Sequence, residues 1–458
     1  MALKYYGRIE KILEIAMGVI YLPCEIYHRE FDAKLLLAVQ LFKKYKHQSI
    51  IGYDKYFGTI LKRGVKGVLL DKSCSSIMWE GRIKHSLMKG GKALVNDEEG
   101  FIHINEKHAS TWVSRVDQKA ALSIDKYICW GSIDYSFFSS RVPNLREKLV
   151  VNGNCRSDLV SRMGKAFYKD KIGAIESIYG QYYLCSDNFS VERRRKGYKH
   201  PAYNISDEEN IKVQKQYEMT TNQNRSRREV YSNILEEAIC NHPDINFIIR
   251  PHPVSDPRWW SERFWKYHNV HIINILNLEP WLLSSRGLIS MGCTSALQAQ
   301  IAGVDSFNIA NIDENIEYNF KFPEALLRIK IKNGKELSKA VELKKKSQKN
   351  LSFMSQPNRE ILKNIWKYSE NDTVSKEYAK EMHEIMPHSQ DSLFNSTAND
   401  IIRIRPALEK SFAIDPDKWI RPSFFDIKKK HDRWCKLLNC KDSKISKLCD
   451  GLYCISKK

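Results

Sequence analysis

The sequence predicts an α/β protein made of two doubly wound, parallel-sheet units. Three observations carry that prediction. Short apolar runs recur along the chain, and amphipathic stretches of helical period separate them. Alternation of strand and helix is the mark of a parallel sheet covered on both faces. The 458 residues exceed one compact core but suit two domains of ~150–200 residues with extras.

In the first unit, 1–165, the expected strands are Val19–Leu22, Ser49–Gly52, Gly67–Leu70, Ala93–Asn96, Lys126–Trp130 and Lys148–Asn152. A helix is expected over Asp32–Tyr45, where Leu35, Leu36, Val39 and Phe42 share one side. In the second unit, 166–400, the strands are Gly180–Cys185, Asn246–Ile249, Val270–Ile273, Gly287–Met291 and Asp305–Ile309. Arg227–Cys240 and Ala296–Ala302 read as helices. Val191–Arg228, with Arg193, Arg194, Arg195 and Lys196, reads as a long polar connection leading into a helix, on the acceptor or membrane side. Residues 401–458 form a basic segment, which Trp419, Phe424, Phe425 and Trp434 should pack partly onto the body.

Composition excludes several classes. Hydrophobic residues make up 42% and charged residues 28%, with 21 Gly and 14 Pro, so the chain is neither collagen-like nor mainly disordered. The apolar run Ala16–Cys24 lies between Glu14 and Glu25. It is too short for a membrane span, which needs ~20 residues. Glu10 and Glu14 also spoil a signal-peptide n-region, so a buried strand is expected. Eleven scattered cysteines fit reduced thiols and a cytoplasmic protein. The net charge of +20 favours an anionic partner. The segment 401–458 alone carries +8, from 15 Lys and Arg against 7 Asp and Glu. With its aromatics it reads as a candidate for an anionic membrane surface, through lysines such as Lys428, Lys429 and Lys430. No RNP, zinc-finger or helix-turn-helix pattern appears, which argues against nucleic acid.

The sharpest motif is Phe247-Ile-Ile-Arg250-Pro251-His252-Pro253. Proline ends the strand, so Arg250 and His252 stand at the carboxyl edge of the sheet, where open α/β sheets bind ligands. Both side chains can donate to phosphate oxygens. Gly287-Leu-Ile-Ser290-Met-Gly292-Cys-Thr294-Ser295 then reads as strand, glycine turn, hydroxyl N-cap and helix. A helix N-terminus with two hydroxyls suits a phosphate. Walker A and GxGxxG patterns are missing, so neither a P-loop nor simple dinucleotide binding is expected.

In the first unit, Asp97-Glu98-Glu99-Gly100 puts three carboxylates in a row at a strand end. One of them could serve as general base or as carboxylate nucleophile. Glu25 and Arg29, after the first strand, could line the same cleft, and Asn154, Arg156 and Asn188 follow other strand ends. Asp415-Pro-Asp417 has the form of an Asp-x-Asp metal motif but lies away from any strand end. Cys435, Cys440, Cys449 and Cys454 are spaced too widely for an ordinary zinc site. No metal is therefore expected.

These blocks resemble a named group. Cys24-Glu25-x3-Arg29-Glu30-Phe31-Asp32, Asp97-Glu98-Glu99-Gly100, Trp130-Gly131, Gly153-Asn154-x-Arg156-x-Asp158 and Asp187-Asn188-Phe189 look like the bacterial surface carbohydrate biosynthesis protein family, over about 17–310. More distantly, the acidic-Gly, His-Pro and Ser/Thr blocks are similar to bacterial sialyltransferases and Kdo transferases. The resemblance implies a GT-B glycosyltransferase, with two Rossmann-like domains facing a cleft. It implies a CMP-activated ulosonic acid (Kdo or a nonulosonic acid) as donor, no other cofactor, and a surface polysaccharide or lipid-linked glycan as acceptor. It places the phosphate on His252 and Thr294/Ser295, and the chemistry on Glu98 or Glu99. The enzyme would be cytoplasmic and peripheral on the inner membrane face. The alternatives are a CDP-glycerol or CDP-ribitol phosphotransferase and a basic nucleic-acid-binding protein. Glu99 stands where related blocks often have Asp, and Cys155 where the family often has Pro.

Overall fold

A computed structural model describes residues 18–63, 66–100, 115–189, 207–252, 255–273, 277–309, 329–346, 356–387 and 422–458, with a few single residues between them. The chain forms two compact units. One gathers residues 1–102, 106–167 and 363–458, and the other 103–105 and 168–362.

The first unit is built on β1 (Val19–Cys24), β2 (Gln48–Tyr53), β3 (Gly67–Asp71), β4 (Lys92–Val95), β5 (Lys126–Cys129) and β6 (Leu149–Val151). All six run parallel in the order β2-β1-β3-β4-β5-β6. The apolar run near the N-terminus thus becomes a central strand, buried along its whole length. Pro23 is tolerated there because the ladder to β3 stops at Tyr21. Helix α1 (Tyr27–Tyr45) starts five residues before the expected Asp32 and is buried on all sides from Glu30 to Phe42. The switch in strand order lies at β1 and β3, so the carboxyl ends of these strands and of β4 frame the crevice expected to hold a ligand.

The second unit has β7 (Tyr182–Ser186), β8 (Asn246–Arg250), β9 (Val270–Ile272), β10 (Gly287–Ser290), β11 (Asp305–Ile309) and β12 (Ile329–Ile331), all parallel in the order β12-β11-β10-β7-β8-β9. Its switch point is at β7 and β10. Helix α2 (Asp207–Asn241) is far longer than the expected Arg227–Cys240, because no Gly or Pro interrupts the chain from 207 to 241. Helices α3 (Pro257–Phe264) and α4 (Ser295–Ala302) follow β8 and β10. Tyr231, Leu235, Phe247, Trp260 and Ile289 fill the core. Arg193 to Lys196 lie outside the described residues.

The expected boundary at 400 is corrected, since the chain from Lys363 onward groups with the first unit. Helix α5 (Val374–Glu384) packs on α1, where Gln40 donates to Thr373 (3.2 Å). Helix α6 (Phe424–Leu437) leads into β13 (Ser443–Cys449) and β14 (Leu452–Lys457). This hairpin joins the first sheet, with β14 antiparallel to β2. The tail aromatics lie against the body. Trp419 packs on Tyr27, Phe31 and Tyr53, Trp434 stacks on Phe167 and Phe424 stacks on Tyr453. Phe425 alone of the four is exposed. Of the three tail lysines, Lys430 meets Asp32 (2.6 Å), Lys428 pairs with Asp432 on the surface (3.0 Å) and Lys429 is exposed. Asp415 and Asp417 lie outside the described residues. Among the described residues no helix is long and apolar enough to cross a membrane.

Candidate functional site

The strand ends of the first unit carry a buried polar network centred on Lys34. Residues four apart share a helix face, so Glu30 and Lys34 of α1 point together toward the end of β1. Lys34 Nζ donates to the Pro23 carbonyl (2.7 Å) and to Glu30 Oε2 (3.1 Å), and lies 3.4 Å from Glu98 Oε1. Glu30 also accepts the backbone N–H groups of Glu25 (3.0 Å) and Ile26 (3.3 Å), and a hydrogen bond from Arg29 (3.0 Å). Burial alone would raise the Glu30 carboxyl, but Lys34 and Arg29 outweigh it and hold it well below the usual carboxylate range. Burial would likewise lower Lys34, but Glu30 and Glu98 hold it above the usual lysine range.

The three consecutive carboxylates are resolved by direction. Glu98 turns inward, where its Oε2 accepts from Asn154 Nδ2 (3.2 Å) and sits 3.5 Å from Arg156 Nε. Arg156 donates to the Glu98 carbonyl (2.8 Å) and lies over the Trp130 and Trp366 ring pair, 5.3 and 5.8 Å from their centroids. Asn154 also donates to Asn96 (2.7 Å), tying the ends of β4 and β6 together. Glu99 turns outward; its side chain is 54% exposed and meets Arg115 at 2.9 Å. Asp97 stands between them, 3.3 Å from Arg115, and burial pushes its carboxyl up to about 6. Gly100 closes the turn at φ +73, and a Cβ there would fall 2.8 Å from the Trp130 ring. Glycine is needed both for the left-handed backbone and for the space. Glu25 pairs with Lys72.

In the second unit Asp187 organises the strand ends. Its carboxylate accepts from the His252 N–H (3.2 Å), Trp260 Nε1 (2.9 Å) and the Phe189 N–H (2.8 Å). Its own N–H donates to the Arg250 carbonyl (3.2 Å). The Arg250-Pro251-His252 turn is thus fixed at the edge of the sheet, next to the loop after β7. Burial lowers the Arg250 guanidinium, and Glu279 opposes that shift. Asn188 donates to the Gly292 carbonyl, while its buried Oδ1 has no hydrogen-bond partner among the described residues. Gly292 adopts φ +72 and donates to Asn308 (3.2 Å), and Arg227 donates to the Met291 carbonyl (2.8 Å).

The structure therefore brings Arg250, His252, Asn188, Gly292, Thr294 and Ser295 to neighbouring strand ends of one sheet. Two details differ from expectation. Thr294 makes no side-chain cap bond, because its own backbone is already helical (φ −60, ψ −21) and the first turn closes through main-chain bonds. Ser290 is fully enclosed within β10. Pro253 lies outside the described residues. In the first unit Glu98, Asn154, Arg156 and Arg29 meet around one network, whereas Glu99 faces away from it. Sequence reasoning missed Lys34, Asn96, Asp187 and Trp366 as site-forming residues. Lys34 could have been found as the cation inside the apolar run Ala33 to Ala38.

No protein-family model matches the chain, and no curated protein matches it. Solved structures do share its architecture. A wall teichoic acid polymerase, TagF, solved with CDPG is 12% identical, with a TM-score of 0.50 over 81% of this chain and 89% of that one. A Listeria monocytogenes protein described as a UDP-N-acetylglucosamine 2-epimerase is 11% identical, with a TM-score of 0.50 over 81% of this chain and 98% of its own. At such identity the likeness speaks for fold, and the fold is the GT-B type with two Rossmann-like units.

Proposed function

We propose that the chain is a GT-B transferase of surface-glycan synthesis that takes a nucleotide-activated donor and works without a divalent metal. The observation that carries this reading is the gathering of Arg250, His252, Asn188 and the start of α4 at the carboxyl ends of β7, β8 and β10, at a switch point. Cations and a helix N-terminus at neighbouring strand ends suit the charge of a leaving phosphate. The resemblance in the sequence makes the donor a CMP-activated ulosonic acid and the acceptor a glycan on a lipid carrier. Glu98 or Glu99 would then act as base or nucleophile. Glu99, open to solvent, is the better placed to meet an acceptor. The enzyme would work at the cytoplasmic membrane face, because a lipid-linked acceptor is found there.

A second reading has its own support. TagF, solved with CDPG, shares the fold, and a CDP-glycerol phosphotransferase would use the same strand-end phosphate site. Both donors release CMP on transfer, so thermal shift against a CMP-sugar and CDP-glycerol, beside CMP, UDP and GDP, separates the two, because a ligand held only by the folded state stabilises it by about 2.7 kcal/mol at a hundred times its Kd. CMP should raise Tm more than UDP or GDP, and the CMP-sugar more than CDP-glycerol. A larger shift with CDP-glycerol would favour the phosphotransferase, and a preference for UDP or GDP would overturn the cytidine donor.

A further inference from the structure

We infer that the C-terminal segment holds a second anion site, a lysine-lined cavity that takes a phosphate-bearing ligand. The cavity, about 520 Å³, lies between α6, the turn after it, the start of β13 and the last residue. Its side chains include Lys428, Lys436, Lys441, Lys444 and Lys458, with Asp432 the lone acidic side chain among its lining residues. Lys428 is paired with Asp432. Lys436, Lys441, Lys444 and Lys458 are exposed and have no ion-pair partner among the described residues.

Ordinary structural roles explain part of this. A lysine in the last turn of a helix complements its dipole, which accounts for Lys436. A lysine on an edge strand discourages pairing with another chain, which accounts for Lys444. Neither explains why Lys441 and Lys458 arrive at the same concavity. The backbone is shaped to bring them there. Asn439 takes the left-handed conformation (φ 52), and Cys440 N–H closes the turn on the Cys435 carbonyl (2.8 Å), so Lys441 returns to the cavity that Lys436 lines. The Lys458 N–H is anchored to the Asp442 carbonyl (2.8 Å). The base is fixed by buried His431, whose Nε2 meets Ser443 Oγ at 2.9 Å. Like charges gathered in a concavity repel one another until an anion arrives. Ammonium groups act as point charges with several donors each, which suits a multiply charged phosphate more than a single planar carboxylate.

Such a phosphate could be soluble or be the headgroup of a lipid. The inference does not depend on the transferase reading, because its test is binding alone. The full chain, in a His252→Ala background that weakens the strand-end phosphate site, is titrated with inorganic pyrophosphate, and separately with phosphatidylglycerol and phosphatidylcholine vesicles, at low and high salt. The triple variant Lys436→Gln/Lys441→Gln/Lys444→Gln is compared with the charge-matched control Lys89→Gln/Lys119→Gln/Lys169→Gln, after both show wild-type Tm. Cavity binding should weaken about tenfold or more in the first variant and little in the control, since screened surface charge alone acts equally in both. Loss confined to phosphatidylglycerol assigns a lipid headgroup, and loss confined to pyrophosphate assigns a soluble phosphate. Equal binding by both variants, or no binding of either probe by the wild type, overturns the site.

Discussion

Lys34 stands 3.1 Å from Glu30 and 3.4 Å from Glu98, so one buried ammonium balances a carboxylate of its own helix and one from the loop after β4. Lys34 is 4% exposed and Glu30 is fully enclosed. The acidic-Gly turn is therefore held in place by the helix that follows β1.

Lys34→Met should be strongly destabilising. Removing one partner of a buried pair strands the other, at about 3–5 kcal/mol. The double variant Lys34→Met/Glu98→Gln should recover part of that loss, because one stranded charge is gone. Denaturant unfolding measures both. A single-variant loss below about 1 kcal/mol would show that the network is solvated and does not hold the turn.

Glu98 and Glu99 can be told apart by the same logic. Glu99→Gln touches an exposed pair with Arg115, so stability should change by no more than about 0.5 kcal/mol. Any fall in transfer activity in that variant is then chemical. Glu98→Gln removes an acceptor of Asn154 and a neighbour of Arg156, and should lower Tm visibly. Full activity in Glu99→Gln would exclude Glu99 as base or nucleophile.

Asp97 supplies a pH signature. Burial pushes its carboxyl up to about 6 from 3.8, against the pull of Arg115. The folded state therefore binds a proton that the unfolded chain has already released, so stability falls as pH rises from about 4 to about 6. The shift corresponds to roughly 2–3 kcal/mol at 1.36 kcal/mol per unit. Asp97→Asn should flatten that part of the wild-type stability curve, read from urea unfolding at several pH values. An unchanged slope would place the Asp97 carboxyl in solvent.

The eleven strands expected from apolar runs all form, because a strand covered on both faces must be apolar throughout and so shows itself in the sequence. The C-terminal hairpin escaped notice although Asp450-Gly451 lies between two short runs containing Ile445, Leu448, Tyr453 and Ile455, a recognisable hairpin signal. Arg250 and His252 could be placed at a strand end because Pro251 ends the ladder. The Lys34–Glu98 contact could not be read from the sequence, because it joins residues 64 positions apart through a fold that must exist first.

The last prediction separates holding a loop from holding a ligand. Asp187 accepts three hydrogen bonds, from Trp260, Phe189 and His252, and reaches no further than the protein itself in these contacts. Asp187→Ala leaves those buried donors unmatched, at about 1–3 kcal/mol for each group fully deprived. Tm should fall, and nucleotide binding should weaken with it, since the His252 turn loses its anchor. His252→Ala removes only a half-buried ring from the end of the turn. Its Tm without ligand should stay close to wild type, while the nucleotide-induced shift shrinks. The pair is read by thermal unfolding with and without CMP. If His252→Ala keeps the full ligand shift, His252 is a loop residue and the phosphate site must rest on Arg250 and the start of α4 alone. If Asp187→Ala keeps both stability and ligand shift, the turn is held by its prolines and not by the carboxylate.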